Sequence, residues 1–236
     1  MKLRYRYGAV LLLFQVFVAC DTANKAVLPK DTAARTGCNG AAQSNDIEAK
    51  YQVIAFGDSL YAGYQLGPCD GFAPQLEAAL RNKGMSVSVL NAGVSGDTSA
   101  AGLARLTFVL DNVKHKPDMV ILGLGGNDML RGIKPEETKA NLSKIMDELA
   151  KRSIKIVLTG MFASPNMGSD YASKFNAIYP NLAKDYDATL YPFFLEGVVT
   201  DRAMLLNDNI HPNKQGVARI VAGIGPAVQS ALNTEK

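Results

Sequence analysis

The sequence lacks most of the motifs by which metal-dependent and nucleotide-binding proteins are recognised. Of its 236 residues, two are histidines and three are cysteines, and neither a His-Glu-x-x-His nor a Cys-x-x-Cys pattern occurs. The glycine-rich segment Gly123-Leu124-Gly125-Gly126 lacks the third glycine of the dinucleotide-binding fingerprint and comes too late in the chain for it. We therefore expect neither a bound metal nor a cofactor.

The chain also lacks the positive charge that nucleic-acid binding requires. It carries 25 basic and 22 acidic residues, but Lys2, Arg4 and Arg6 account for the whole excess. Residues 1–19 contain no acidic side chain, so the remainder has 22 residues of each sign. Such a neutral balance, in a sequence that is 47% hydrophobic, is typical of a globular domain and excludes a basic nucleic-acid footprint.

Residues 1–19 predict a secretory signal peptide, because basic residues are followed by an uncharged apolar run from position 8 to position 19. The alternative is a membrane-spanning anchor, but spanning requires about 20 apolar residues and this run is shorter. The run ends in Val18-Ala19-Cys20-Asp21, which resembles the lipobox of bacterial lipoproteins, although Phe17 departs from the leucine that this motif prefers. We therefore predict that Cys20 is lipidated and that the protein lies in the bacterial cell envelope (the periplasm).

The two other cysteines are Cys38 and Cys69. In an oxidising compartment they can form a disulfide bond, which would contribute about 3–4 kcal/mol in the chain-entropy model. The alternative is two free thiols. Residues 20–48 lack hydrophobic periodicity and predict a tether, so the globular domain is expected over 49–236.

Strands and helices are predicted to alternate along this domain. Helical patterns cover about 72–83, 98–113, 135–152, 171–186 and 212–232, and short apolar runs predict strands at 51–56, 87–90, 119–123, 154–158 and 189–191. This alternation predicts an α/β fold, a three-layer doubly wound sheet of five parallel strands. Ligands bind beyond the carboxyl ends of such strands, and Ser59, Gly96 and Asn127 each follow a predicted strand.

One serine and one histidine form a candidate catalytic pair. A serine becomes a useful nucleophile when a histidine can take its proton, and a carboxylate orients that histidine. His211 has Asp208 three residues before it, whereas His115 has no assigned function. Taken singly, Ser59 has a simpler interpretation as a helix N-cap and His211 as a surface residue.

Four segments taken together resemble the SGNH hydrolase superfamily, the GDSL esterases and lipases. They are Gly57-Asp58-Ser59-Leu60, Ser95-Gly96-Asp97-Thr98, Gly125-Gly126-Asn127-Asp128 and Asp208-Asn209-Ile210-His211, in this order. The resemblance extends over residues 51–232. Longer stretches, among them residues 57–64 and 125–132, are most similar to the multifunctional bacterial thioesterase, arylesterase and lysophospholipase group. A Gly-x-Ser-x-Gly elbow is absent, which sets the chain apart from the standard α/β-hydrolases.

The resemblance implies a flavodoxin-like SGNH fold and a role for each matching residue. Ser59 would attack the acyl carbonyl, His211 would accept its proton, and Asp208 would hold the histidine. The oxyanion hole would consist of the backbone N–H groups of Ser59 and Gly96 and the side-chain amide of Asn127.

The implied function is hydrolysis of carboxylic esters or thioesters through an acyl-enzyme, with lipids among the small acyl substrates. Alternatives are a carbohydrate O-deacetylase and a non-catalytic envelope lipoprotein that binds a ligand. Residues 161–168 are expected to form a lid whose Pro165, Asn166 and Met167 contact substrate, although its apolar side chains would equally suit an ordinary core. We expect a monomer that meets the membrane through its lipid anchor alone.

Overall fold

A five-stranded parallel sheet forms the centre of the protein in the computed structural model, which describes residues 49–234. The strands are β1 Tyr51–Gly57, β2 Val87–Gly93, β3 Met119–Gly123, β4 Lys155–Thr159 and β5 Thr189–Tyr191. Their order across the sheet is β2-β1-β3-β4-β5, and every neighbouring pair is parallel. This is the order of flavodoxin-like folds, and the predicted fold class is confirmed.

Eight α-helices connect and cover the strands in the described part of the chain. They are α1 Ser59–Ala62, α2 Phe72–Asn82, α3 Ser99–Asp111, α4 Gly126–Leu130, α5 Pro135–Lys151, α6 Ser169–Asn176, α7 Ile178–Asp185 and α8 Lys214–Asn233. The short helices α1 and α4 were not expected from the sequence. They begin within three residues of the ends of β1 and β3, and both carry site residues.

The single helix predicted over 171–186 is wrong, because the structure divides it at Ala177 into α6 and α7. Pro180 explains the division. Proline has no backbone N–H, so the carbonyl of Asn176 cannot receive the hydrogen bond that a continuous helix would give it. The strand predicted at 87–90 is also longer than expected, since β2 continues to Gly93 in register with β1.

Alternate side chains of the strands point into two apolar layers. Val53, Ala55 and Ile121 pack on one face in a cluster that includes residues of α2 and α8. The side chains of Ile54 and Phe56 lie on the other face, where the buried residues of α3 and α5 complete the second layer. Strand β3 is buried along its whole length, which explains its uninterrupted apolar run.

Several sequence predictions concern residues outside the described range. The signal peptide (1–19), Cys20, the tether (20–48) and Cys38 all lie there. Cys69 is disulfide-bonded, but both other cysteines lie outside residues 49–234, so its pairing with Cys38 stays a prediction. None of the helices in residues 49–234 is both long enough and apolar enough to cross a membrane.

Candidate active site

The site residues lie at the edge of the sheet that is formed by the carboxyl ends of its strands. Ser59 is the first residue of α1, directly after β1, and Asn127 lies in α4, after the neighbouring β3. Gly96 follows β2 on the other side of β1. Strands β1 and β3 flank the topological switch point, the usual position of ligand sites in open parallel sheets.

Ser59, His211 and Asp208 form a continuous hydrogen-bonded chain. The Nε2 atom of His211 lies 2.8 Å from the Ser59 hydroxyl oxygen, although the two residues are 152 positions apart. The Nδ1 atom of the same ring lies 2.7 Å from Oδ2 of Asp208. With its proton on Nδ1, the imidazole donates to the carboxylate and presents Nε2 as an acceptor to the serine.

The loop before α8 orients the carboxylate of Asp208 relative to His211. Oδ1 of Asp208 accepts the backbone N–H groups of Ile210, at 2.9 Å, and of His211, at 3.0 Å. Asn209 between them adopts a left-handed conformation with φ +60°. The hydrogen bond from the backbone N–H of His211 is the largest cause that lowers the pKa of Asp208 to about 2. Asp208 is therefore ionised at neutral pH and oriented by its own loop.

A tight turn presents the backbone N–H of Gly96. The N–H of Asp97 donates to the carbonyl of Val94 at 3.1 Å, and Gly96 occupies the position with φ +86°. This is the third position of a type II turn, which favours glycine. In the part of the chain described, the backbone N–H groups of Ser59 and Gly96 have no hydrogen-bond acceptor. Both are available to a substrate oxygen.

The side-chain amide of Asn127 connects the turn at residues 94–97 (the oxyanion turn) to the segment that carries Ser59. Its Nδ2 donates to the carbonyl of Asp97 at 2.9 Å and lies 3.4 Å from Oδ2 of Asp58. Asp58 is 4% exposed and caps α1 by accepting the backbone N–H of Leu60 at 3.0 Å. The N-cap is thus Asp58, and the simpler interpretation of Ser59 as an N-cap is wrong. Burial is the main cause that raises the pKa of Asp58 to about 6.

A second charged residue, Arg105, connects the same two segments. The guanidinium of Arg105 donates to Oδ2 of Asp97 at 2.6 Å and to the carbonyl of Gly57 at 3.0 Å. It also lies over the ring of Phe56, 4.1 Å from the centroid. Because Gly57 is two residues before Ser59 and Asp97 directly follows Gly96, Arg105 fixes the distance between the serine and the oxyanion turn.

The three residues predicted to contact substrate lie apart from this network. Pro165–Met167 form a single 3-10 turn, in which Pro165 and Asn166 are exposed. Within residues 49–234, no hydrogen bond or ring contact joins them to Ser59, Asn127 or His211. Met161, at the start of the same segment, instead lines a cavity beneath the site beside Asp58 and Gly126. Its volume of about 10 Å³ admits roughly one water molecule and no acyl chain. The substrate-binding role of Pro165, Asn166 and Met167 stays a prediction.

Tyr64 belongs to the site and was missed by sequence reasoning. Its ring centroid lies 4.4 Å from that of His211, at an interplanar angle of 36°. Arg131, also unassigned, donates to the carbonyl of Gly96 at 2.8 Å. The available signal was the position of Tyr64, five residues after Ser59. The short helix α1 brings the Tyr64 N–H to the Ser59 carbonyl, 3.3 Å away, but α1 was not predicted.

A Ser–His–Asp chain with free backbone N–H groups on a parallel sheet is the arrangement of a serine hydrolase. The model of the GDSL-like lipase/acylhydrolase family matches residues 55–219, and the chain belongs to this family. The SGNH superfamily assignment made from the four motifs is confirmed. In residues 49–234, no group of His, Cys, Asp or Glu side chains could hold a metal ion.

Named relatives agree with this assignment. An arylesterase from Vibrio mimicus is 38% identical over 178 residues, 74% of this chain and 88% of its own length. Thioesterase 1/protease 1/lysophospholipase L1 of Escherichia coli is 36% identical over 181 residues, 77% of this chain and 85% of its own. The crystal structure of AlinE4, an SGNH-hydrolase family esterase, matches with a TM-score of 0.66 and 48% identity, covering 78% of this chain and 97% of that one.

Proposed function

We propose that the protein hydrolyses carboxylic esters or thioesters through an acyl-enzyme formed on Ser59. The observation that carries this proposal is the hydrogen-bonded chain from Ser59 to His211, at 2.8 Å, and from His211 to Asp208, at 2.7 Å. The relatives named arylesterase and thioesterase support the two substrate classes.

In the first half-reaction, Nε2 of His211 accepts the Ser59 proton while Oγ bonds to the acyl carbon. The carbonyl π pair moves to oxygen, and the resulting imidazolium faces the ionised Asp208. When the tetrahedral intermediate collapses, the bond to the alcohol or thiol breaks, and His211 returns the proton to that leaving group. Water then attacks the acyl-serine with the same base, releasing the acid and free Ser59.

The tetrahedral oxyanion would receive hydrogen bonds from the backbone N–H groups of Ser59 and Gly96 and from Nδ2 of Asn127. The Asn127 amide already has two acceptors, and the contact to Asp58 at 3.4 Å is the longer and weaker one. Donation to the oxyanion would replace it, while the bond to Asp97 keeps the amide in place. The loss of one such donor costs about 2.7–4 kcal/mol in the best-studied hydrolase.

Apolar side chains around the site favour an acyl chain longer than acetyl. Val94, Leu130 and Ile210 are 41%, 63% and 50% exposed, and each lies within three residues of Gly96, Asn127 or His211. Exposed apolar side chains next to catalytic residues are available to contact an apolar acyl group, since ligand sites are lined predominantly by apolar side chains. This supports lipid-like acyl esters over acetylated carbohydrate. We further propose that the enzyme acts in the cell envelope, which the predicted signal peptide (1–19) and the predicted lipidation of Cys20 support.

The test is hydrolysis of p-nitrophenyl butyrate by Ser59→Ala. We expect kcat to fall by about 10⁴-fold or more, as for removal of the nucleophile in other serine hydrolases. Ser169→Ala is the matched control, because Ser169 is likewise the first residue of a helix, α6, and is exposed. Undiminished hydrolysis by purified Ser59→Ala would show that the nucleophile is another residue.

The substrate class is tested separately with the wild-type enzyme. Acetyl, butyryl, hexanoyl and decanoyl groups are compared as p-nitrophenyl esters and as thioesters. We expect kcat/KM to rise beyond acetyl in both series. A strong preference for acetyl would contradict the apolar-acyl proposal and favour carbohydrate deacetylation.

A further inference from the structure

The aromatic ring of Tyr64 forms a wall against the imidazole of His211. The centroids are 4.4 Å apart and the planes are inclined by 36°, so the tyrosine presents part of its π face to the histidine. Asp208 meets the same imidazole through Nδ1, and Ser59 meets it through Nε2. Tyr64 therefore contacts a face of the ring that neither hydrogen bond constrains.

The backbone holds Tyr64 rigidly relative to the nucleophile. Helix α1 ends at Ala62 and is capped by Gly63, whose φ of +76° turns the chain, and the Tyr64 N–H donates to the carbonyl of Ser59 at 3.3 Å. The Leu66 N–H closes the next turn on the carbonyl of Gly63 at 2.9 Å, and the Gln65 amide donates to the Tyr64 hydroxyl at 3.1 Å. The nucleophile and the aromatic wall are thus parts of one short structural unit.

We propose that Tyr64 is a positioning residue that keeps His211 aligned with Ser59 and favours the imidazolium formed in the transition state. The proposal rests on the proposed function, because it assigns His211 the role of general base. An aromatic face attracts a cation within about 6 Å, and at exposed sites the effect corresponds to about two- to fivefold in rate. The carboxylates near the imidazolium are Asp208, in contact with it, and the buried Asp58, which interacts with His211 electrostatically.

The alternative is that Tyr64 contacts the leaving group of the substrate. The two roles differ in their kinetic signature. A residue that acts through the general base changes kcat by the same factor for every leaving group, whereas a substrate contact changes KM and depends on the leaving group.

The test compares Tyr64→Leu and Tyr64→Phe with the wild-type enzyme on p-nitrophenyl butyrate and a butyryl thioester. For Tyr64→Leu we expect kcat to fall about two- to fivefold on both substrates with unchanged KM. Tyr64→Phe should restore the wild-type kcat, because it keeps the ring. Phe108→Leu is the matched control, since Phe108 is an aromatic residue of α3 with similar exposure, 41% against 38%.

A wild-type kcat in Tyr64→Leu would overturn the proposal, and so would an equal loss in Tyr64→Phe or a change confined to KM or to one leaving group. Thermal unfolding of each variant identifies any loss caused by misfolding, and a loss in Tyr64→Leu that matches unfolding would also count against the proposal. Failure of the proposed function is recognised differently, as an inactive wild-type enzyme or an active Ser59→Ala.

Discussion

Replacement of Asp58 by asparagine should stabilise the protein at alkaline pH while slowing catalysis. Asp58 is 4% exposed, and burial is the first cause that raises its pKa from 3.8 to about 6. The folded protein therefore binds a proton more readily here than the unfolded chain does. The stability associated with this proton is fully present below pH 4 and is lost as the pH rises through 6. The difference corresponds to about 3 kcal/mol of unfolding free energy at pH 8.

Asp58→Asn removes the buried charge but keeps an oxygen that can accept the Leu60 N–H. Part of the gain is lost because the new amide would face Nδ2 of Asn127, which lies 3.4 Å from the carboxylate, and two donors cannot satisfy each other. An unsatisfied buried group costs about 1–3 kcal/mol. We therefore expect a net stabilisation of about 0–2 kcal/mol at pH 8, where the gain and the penalty both act, and a destabilisation of about 1–3 kcal/mol at pH 4, where only the penalty acts. We also expect kcat to fall about tenfold, because the new amide would repel Nδ2 of Asn127 and displace that donor from the oxyanion.

Urea denaturation of both proteins at pH 4 and pH 8 gives the four free energies of unfolding that the comparison needs. Asp118→Asn is the control, since the exposed Asp118 also accepts a backbone N–H, from Gln52 at 2.7 Å. The decisive quantity is the stabilisation by Asp58→Asn at pH 8 minus that at pH 4. If this difference is zero or negative, burial does not penalise the Asp58 carboxylate and the reasoning fails.

Three further predictions concern Asp208 and the disulfide bond. Asp208→Asn should lower kcat by about 10⁴-fold at neutral pH, as loss of the equivalent carboxylate does in a serine protease; a loss below tenfold on p-nitrophenyl butyrate would contradict its role. The pKa of Asp208 is lowered to about 2, so the stability that its charge confers is present above pH 4 and lost as the pH falls through 2. Between pH 4 and pH 2, the far-UV circular dichroism of Asp208→Asn should therefore change less than that of the wild type. Cys38→Ser should free the Cys69 thiol and lower the unfolding free energy by about 3–4 kcal/mol. Thiol titration and urea denaturation check this, and an unreactive Cys69 in Cys38→Ser would indicate another partner.

The sheet was predictable because its strands carry local signals. Strand β3 coincides with the predicted 119–123, since four buried apolar residues and a buried glycine follow a polar segment. The last residues of β2 gave no such signal. Asn91 is polar, yet it is a strand residue because its backbone pairs in register with Ala55 of β1. That pairing is a tertiary constraint, and the apolar pattern of the sequence does not reveal it.

The same distinction between local signals and tertiary constraints applies to the candidate site. Ser59, His211 and Asn127 could be predicted because their side-chain chemistry and their order along the chain are themselves the signal. The distance of 2.8 Å between Ser59 and His211 could not, since 152 residues and the whole sheet determine it.

The roles of residues that support the reactive groups could be predicted less well from the sequence. Burial raises the pKa of Asp58, and the cavity that Asp58 lines is also lined by Gly126, at the start of α4, and by Met161, after β4. Tyr64 meets His211 only because α1 and the loop before α8 converge at one edge of the sheet. A carboxylate or an aromatic ring acquires such a role from neighbours distant in sequence, so its residue type alone predicts nothing. Substitution of Asp58 should therefore change both rate and stability, whereas substitution of Tyr64, which lies outside the four motifs, should change the rate alone.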